Sequence, residues 1–384
     1  MIPLRNLGRF YRKTLRQPGY AFLVFEKRLK AHLGYLWGGG RSSYPEAITL
    51  FLTHRCNLRC KMCGQWGESG VTRKMAPDLI KEELSFPELK KVIDEVNAFK
   101  PNITLFGGEP LLHPGCIRLI EYIKKKNMHC LMITNGSLLA EFAEKLVGAG
   151  LDELNVSLDG GRDLHDEIRG MPGVFEKITD GIKEVNRIKK EKGRKKPLIN
   201  LQCTIVKYNY QHLQQLLQVA GDIGADSLTY HNLIFLEKDL LEKQKEYDRR
   251  LQCSSADWEG FLSEPEIDPE VLHAKMEEIL AKRYSFSVDF YPNFSYKTLV
   301  EYYRNPAYMP SGYPGRCLSP WMVAYIFPNG EMRPCLNFSY SYGNIKGSSF
   351  TDIWNGNPAL KYRRILKESK IFPVCVRCTE LYRY

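Results

Sequence analysis

From residue 47 onward, apolar and polar positions follow two alternating periods. Short stretches rich in β-branched residues, most with period two, read as strands: AITLFLT (47–53), NITLF (102–106), HCLMIT (129–134), ELNVSL (153–158), LINLQCTIV (198–206) and DSLTYHN (226–232). Between them, apolar residues recur every three or four positions. SFPELKKVIDEVNAF is the clearest case: Ser85 and Glu88 form a capping-box pattern, and Leu89, Val92, Ile93 and Val96 make one stripe. Six βα units in succession predict an α/β chain with a parallel sheet and helical crossovers.

Strands of a parallel sheet are usually apolar on both faces. Here Asn155 and Ser157 alternate with Leu154, Val156 and Leu158; Asn200, Gln202 and Thr204 alternate with Ile199, Leu201 and Cys203; Ser227, Thr229 and His231 alternate with Leu228 and Tyr230. One face under helices and one polar face suggest an open barrel around a polar cavity; an amphipathic sheet facing water is the alternative. The regular pattern stops after residue 236. Residues 237–316 are charged and aromatic, a segment expected to connect the core and cover the cavity, and 317–384 read as a separate small α+β domain. Residues 1–45 form a basic extension with two helical pieces broken at Pro18-Gly19; Leu4, Leu7, Phe10 and Tyr11 share a face in the first, and AFLVF (21–25) is apolar.

The 384 residues, 43% of them hydrophobic, are enough for a large core, and there is neither a signal-peptide pattern nor an apolar run of about 18 residues. A cytoplasmic chain is expected, so the eleven cysteines suggest metal ligands rather than disulfides. Seven fall into two sets, leaving Cys116, Cys130, Cys203 and Cys253 as buried free thiols. The net charge is +11; the run RIKKEKGRKK (187–196) reads as a solvated helix end and loop. No basic–aromatic interleaving tracks a groove, so no nucleic acid is expected.

Cys56, Cys60 and Cys63 stand in C-x3-C-x2-C spacing directly after the first strand. Three thiolates on a tight loop can hold three corners of an iron–sulfur cube, whose remaining iron is open to an outside amine and carboxylate. A structural zinc needs a fourth ligand, and His54 is very close in sequence to supply it. GGEP (107–110) ends the second strand, with Glu109 able to accept from an ammonium; ITNGS (133–137) and VSLDG (156–160) end the third and fourth. Small polar groups at these carboxyl ends are where parallel α/β folds bind ligands. Arg169, in HDEIRG, can grip a carboxylate through two N–H bonds. His231 lies on the polar face, as a substrate contact or proton donor and acceptor, or as a structural histidine.

The cysteine spacing and the loops after it resemble the radical S-adenosylmethionine (SAM) superfamily. That resemblance implies a partial (βα)6 TIM-type barrel over residues 46–236 and a 4Fe-4S cluster on Cys56, Cys60 and Cys63. The cluster's open iron chelates SAM, and its electron produces a hydrogen-abstracting 5′-deoxyadenosyl radical. It also implies SAM contacts from Gly107, Gly108, Glu109 and Pro110 to the amino group, from Ser157, with Asn135 and Asp159, to the carboxylate and ribose, and from Arg169 and Asn209. Met62, where relatives often carry an aromatic, lies near adenine. Cys317, Cys335, Cys375 and Cys378, with the Asn329-Gly330 turn and the GNIKGSSFTDIWN stretch, resemble a twitch-type SPASM domain. They imply a second, fully protein-ligated 4Fe-4S cluster serving as an electron relay; a structural zinc on the same thiols is the alternative.

Three expectations follow. The first is an enzyme acting on a small-molecule or lipid-like substrate, drawing electrons from a flavodoxin or ferredoxin and touching the membrane periphery through residues 1–35. For that arm, a helix packed on the barrel exterior is the other reading. The second is a peptide- or protein-modifying maturase, for which residues 1–45 are short as a leader-binding domain. The third is a non-catalytic zinc scaffold.

Overall fold

The computed structural model describes residues 18–310 and 315–383, with side chains from residue 24. The face formed by Leu4, Leu7, Phe10 and Tyr11 lies outside the described residues. All six predicted strands form: β1 (Ala47–Phe51), β2 (Asn102–Phe106), β3 (Cys130–Thr134), β4 (Glu153–Ser157), β5 (Leu198–Thr204) and β6 (Ser227–His231). They pair in parallel in sequence order, each connected through helices such as Phe86–Val96, where the Ser85–Glu88 capping box is present and the predicted stripe is buried. The basic run 187–196 finishes the helix Val174–Glu191 and continues as exposed loop.

The alternation read from sequence is physical. Ile103, Leu105, Met132, Leu154, Val156, Ile199, Leu201 and Leu228 are fully buried under the helices. Their neighbours Thr104, Asn155, Ser157, Asn200, Gln202, Thr204 and His231 are partly exposed on the opposite, concave face. Register lines these up across strands: Asn155 faces Asn200, which faces Ser227, and Ser157 faces Gln202, which faces Thr229. The result is an open, partial barrel with a polar inner wall.

Two expectations about organisation change. First, residues 237–316 contain a further strand, β7 (Ser287–Tyr291), parallel to β6. It is a partly exposed edge, so its sequence SVDFY carries only a weak alternation. The aromatics around it do not hang over the cavity: Phe294, Tyr302, Tyr303 and Tyr308 are buried in the core. Second, residues 317–384 do not stand apart from the barrel. β8 (Val323–Ile326) pairs in parallel with β1, and β9 (Glu331–Arg333) and β10 (Gly343–Asn344) follow antiparallel, giving one ten-stranded sheet ordered β10-β9-β8-β1-β2-β3-β4-β5-β6-β7. The Asn329-Gly330 turn joins β8 to β9, with Gly330 at φ +88°. Arg363, fully buried on the helix Asn357–Ser369, stacks 4.2 Å from Trp354, donates to Pro320 O at 2.8 Å within this region, and reaches Gly40 O, ahead of β1, at 3.2 Å.

Candidate active site

The cysteine loop, GGEP, ITNGS and VSLDG each lie at the carboxyl end of a barrel strand, and Arg169 ends the helix Arg162–Arg169 that follows β4. The cysteine loop follows β1, GGEP follows β2, the Asn135 turn follows β3, and Asp159 follows β4. Backbone hydrogen bonds zip the first two loops together: Gly108 N donates to Thr53 O and Glu109 N to Arg55 O, both at 2.8 Å. This explains the two glycines. A Cβ on Gly108 would lie 2.1 Å from Arg55 O, and Gly107 holds φ +153° beside Thr53 O. The close approach the glycines permit is to the cysteine loop itself. Gly108→Ala is therefore expected to push the cysteine loop out of register and lower SAM affinity by about ten-fold or more, read by equilibrium binding to the anaerobic protein.

Glu109 is fully buried, and its carboxylate accepts from Leu111 N (3.1 Å), Thr134 Oγ1 (2.8 Å) and Asn135 N (2.8 Å). Burial pushes its pKa up to about 7 against the pull of those donors. The side chain ties the β2 loop to the end of β3. Asn135 behaves similarly. Its amide donates to Asn57 Oδ1 at 2.9 Å and points at Cys56 Sγ at 3.8 Å, while its oxygen accepts from the Ser137 amide and hydroxyl. Asn209 donates to the carbonyls of Asp159 and Thr204 and accepts from Val206 N, tying the ends of β4 and β5 together. Each of these three side chains braces a loop at the carboxyl end of the sheet. Sequence pattern cannot separate this role from ligand contact, because both need a polar side chain at a strand end.

Asp159 and Arg169 form a buried pair. Arg169 Nε and Nη2 both reach Asp159 Oδ2 at 2.6 Å, and Nη1 points at Cys60 Sγ at 3.6 Å. Burial disfavours the guanidinium charge, but Asp159 and Cys60 more than offset it and its pKa rises. Asp159 is held in turn by Thr204 N on Oδ1 (2.9 Å) and through its own amide, which donates to His165 Nδ1 (3.0 Å). Burial pushes His165 down to about 2, so it stays a neutral acceptor. Three of Arg169's five N–H donors are thus used, leaving two for a ligand. Ser157 is partly exposed on the inner wall, and its hydroxyl has no partner among the described residues. Met62 sits half-buried beside the same loop.

Each of the three sulfurs faces an N–H group: Cys56 that of Asn135 and the Leu58 amide, Cys60 that of Arg169, and Cys63 the Trp66 amide at 3.4 Å. His54, the alternative fourth ligand, packs its ring against Phe51, 4.9 Å between centroids. Residues 256–261 cover the outer side of the loop, where a Cβ on Gly64 would collide with the Phe261 ring and one on Gly260 with Gly64 O.

The second set also comes together. Cys375 is buried and Cys317, Cys335 and Cys378 are half-buried; burial pushes all four thiols up, and a neighbouring thiol of the set adds to the rise at Cys317, Cys335 and Cys375. The amide two residues on hydrogen-bonds to the sulfur in three cases, Ser319, Asn337 and Glu380. Among the described residues, no group of three or more His, Cys, Asp or Glu side chains is gathered to hold a single metal ion. A four-iron cube takes each sulfur on a different iron, so four gathered, largely buried thiols, three of them facing a backbone N–H, suit it. The sequence reading missed two residues that bind this region to the barrel. Arg377, inside the C-x2-C pair, is buried 4.2 Å over Phe235 and donates to Tyr302 O and Asn305 O. Tyr291 of β7 donates to Thr379 O at 2.8 Å, and its ring meets that of His231 edge-on at 5.7 Å. His231 also hydrogen-bonds Gln202, so the inner wall runs without a break toward the second cysteine set.

A family model described as the radical SAM superfamily matches residues 50–220, and an iron-sulfur cluster-binding domain model, SPASM, matches 317–379. The chain belongs to the radical SAM superfamily. Of its curated relatives, the AdoMet-dependent heme synthase of Methanosarcina barkeri is 27% identical over 336 residues, covering 85% of this chain and 86% of that protein. The tungsten-containing aldehyde ferredoxin oxidoreductase cofactor-modifying protein of Pyrococcus furiosus is 25% identical over 358 residues, 86% of each. Among solved structures, Streptococcus suis SuiB bound to its precursor peptide SuiA shares the fold, with TM-score 0.62 and 15% identity over 87% of this chain and 70% of that one. The chain is thus a radical SAM enzyme: it uses SAM, a 4Fe-4S cluster and auxiliary iron–sulfur chemistry, acts on a substrate and needs an electron donor.

Proposed function

We propose that this radical SAM enzyme removes a hydrogen atom from a small-molecule or lipid-like substrate held against the polar inner wall of its barrel. The observation that carries the reading is the row of Gln202, His231 and Tyr291, which continues the wall from Ser157 to the second cysteine set. Cys56, Cys60 and Cys63 would hold the first cluster, which would supply an electron for reductive cleavage of a carbon–sulfur bond of SAM. Ser157 and the two remaining N–H groups of Arg169 bind the SAM carboxylate, the backbone of Gly107–Pro110 its amino group, and Met62 packs near adenine. Glu109, Asn135, Asp159 and Asn209 keep those groups in place. His231, oriented by Gln202 and Tyr291, contacts the substrate and can hold a proton there.

Cys317, Cys335, Cys375 and Cys378 hold the auxiliary cluster as an electron relay. Residues 256–261 close the outer side of the loop, the part of 237–316 that covers the site. The domain reading is then a core at 46–236, a connecting and strand-donating segment at 237–316, and an auxiliary-cluster region at 317–384 that shares the barrel's sheet. The electron donor is a flavodoxin or ferredoxin, and a chain of net charge +11 suits an acidic partner of that kind. The enzyme works in the cytoplasm at the membrane surface; among the described residues no helix is long and apolar enough to cross a membrane.

Two measurements test this. Anaerobically purified protein should carry about eight irons with matching sulfide; zinc in their place would end the reading. A deuterated small molecule or lipid should pass its label to 5′-deoxyadenosine. Label transfer from peptide substrates alone would move the enzyme to the peptide-modifying class.

A further inference from the structure

The helix Pro18–Trp37 presents one face that nothing in the barrel chemistry uses. Val24, Ala31 and Tyr35 on its inner side are buried, with the Tyr35 ring 5.0 Å from that of Trp321. Arg28 pairs with Glu46 at 2.8 Å, and Lys27 donates to the carbonyls of Phe99 and Lys100. Held this way, the helix cannot roll, and its outer side stays in solvent. That side is apolar. Phe25 (56% exposed), Leu29 (49%), Leu33 (41%), Leu36 (39%) and Trp37 (77%) fall within about a third of the helical circumference at the usual hundred degrees per residue. Seven other large hydrophobic side chains are this exposed among the described residues, all scattered from Tyr44 to Met309. A patch of five on one helix is not ordinary surface.

Charge chooses the occupant. Lys27 and Lys30 flank the stripe on one side, Arg28 and His32 on the other, and the single acid on its face, Glu26, is paired to Lys30. The chain ahead of it adds Arg5, Arg9, Arg12, Lys13 and Arg16. Two copies meeting through this face would bring like charges together, whereas an anionic bilayer offers hydrocarbon to the stripe and phosphate to its rim. An exposed Trp at the helix end is suited to the headgroup boundary. We infer that the outer face of this helix lies in the interface of an anionic membrane, holding the enzyme there as a peripheral protein. Its anchors, Glu46, Phe99 and Lys100, precede β1 and β2, at the end of the barrel opposite the cysteine loop. Docking therefore places the enzyme at the bilayer with its mouth turned to the cytosol. The surface does not depend on the proposed chemistry, and vesicle binding and deuterium transfer report on the two separately.

The test is sedimentation of the anaerobic full-length holoenzyme with vesicles of phosphatidylcholine containing about a third phosphatidylglycerol, and with phosphatidylcholine alone. The expected result is binding to the anionic vesicles at least about ten-fold stronger than to the neutral ones, weakened by raised salt. A variant carrying Phe25→Ser, Leu29→Gln, Leu33→Gln and Trp37→Gln, checked for unchanged iron content and circular dichroism, should lose about ten-fold or more of that binding. No pelleting with anionic vesicles, equal pelleting of the variant, or a wild-type dimer that the variant converts to monomer would each overturn the proposal.

Discussion

Replacing Cys56, Cys60 and Cys63 together by alanine is expected to remove about half of the iron, roughly four atoms of eight, and all cleavage of SAM. The loss is confined because the two cysteine sets are built on different parts of the chain. The first hangs on the loop after β1, braced by backbone bonds to the GGEP loop and by Asn135 and Arg169. The second is held by Arg377 and by the Tyr291–Thr379 bond, neither of which touches the first loop. The variant should therefore fold, keep the auxiliary cluster's absorption and paramagnetic signal, and release no 5′-deoxyadenosine under dithionite. Iron and sulfide analysis beside nucleoside chromatography reads both halves. An iron content equal to that of the parent would mean these thiols hold no cluster.

Asp159→Ala should destabilise the protein by about 3–5 kcal/mol, among the largest effects available to a single substitution. Removing this carboxylate leaves the Arg169 guanidinium buried with only the Cys60 sulfur beside it, and orphans the Thr204 amide. A guanidinium does not shed its proton to escape this, so the full penalty falls on the fold. The double variant Asp159→Ala, Arg169→Met removes both charges and should recover most of the lost stability. It should not recover SAM cleavage, because the donors beside Cys60 and the carboxylate site go with the arginine. Guanidinium-induced unfolding of the anaerobic proteins compares the midpoints. A single variant that unfolds at the parent's midpoint would show that the pair is not holding the β4 loop.

Much of this molecule is legible from local pattern. Alternation along β4, β5 and β6 predicts which side chains face inward, because the period of a strand is a local property and a sheet covered by helices on one face alone is uneven in polarity. The cysteine spacing after β1 is equally local, since one loop carries all three ligands. β7 escaped because an edge strand in a partly exposed setting has no face to make strongly apolar. The helix face carrying Phe25, Leu29, Leu33 and Leu36 is another limit: AFLVF shows apolar content, but not which residues the barrel buries.

From sequence alone came the six βα units, the polar inner wall, the two sets of thiols and the loops beside the first of them. Only the tertiary structure decided which partners those loop residues take: that Glu109, Asn135 and Asn209 bond to neighbouring loops, that Asp159 aims Arg169 at Cys60, and that residues 317–384 extend the barrel's own sheet through β8. The reason is that a residue's period is set by its neighbours in the chain, whereas its hydrogen-bond partner is set by whichever distant loop the fold brings within 3 Å.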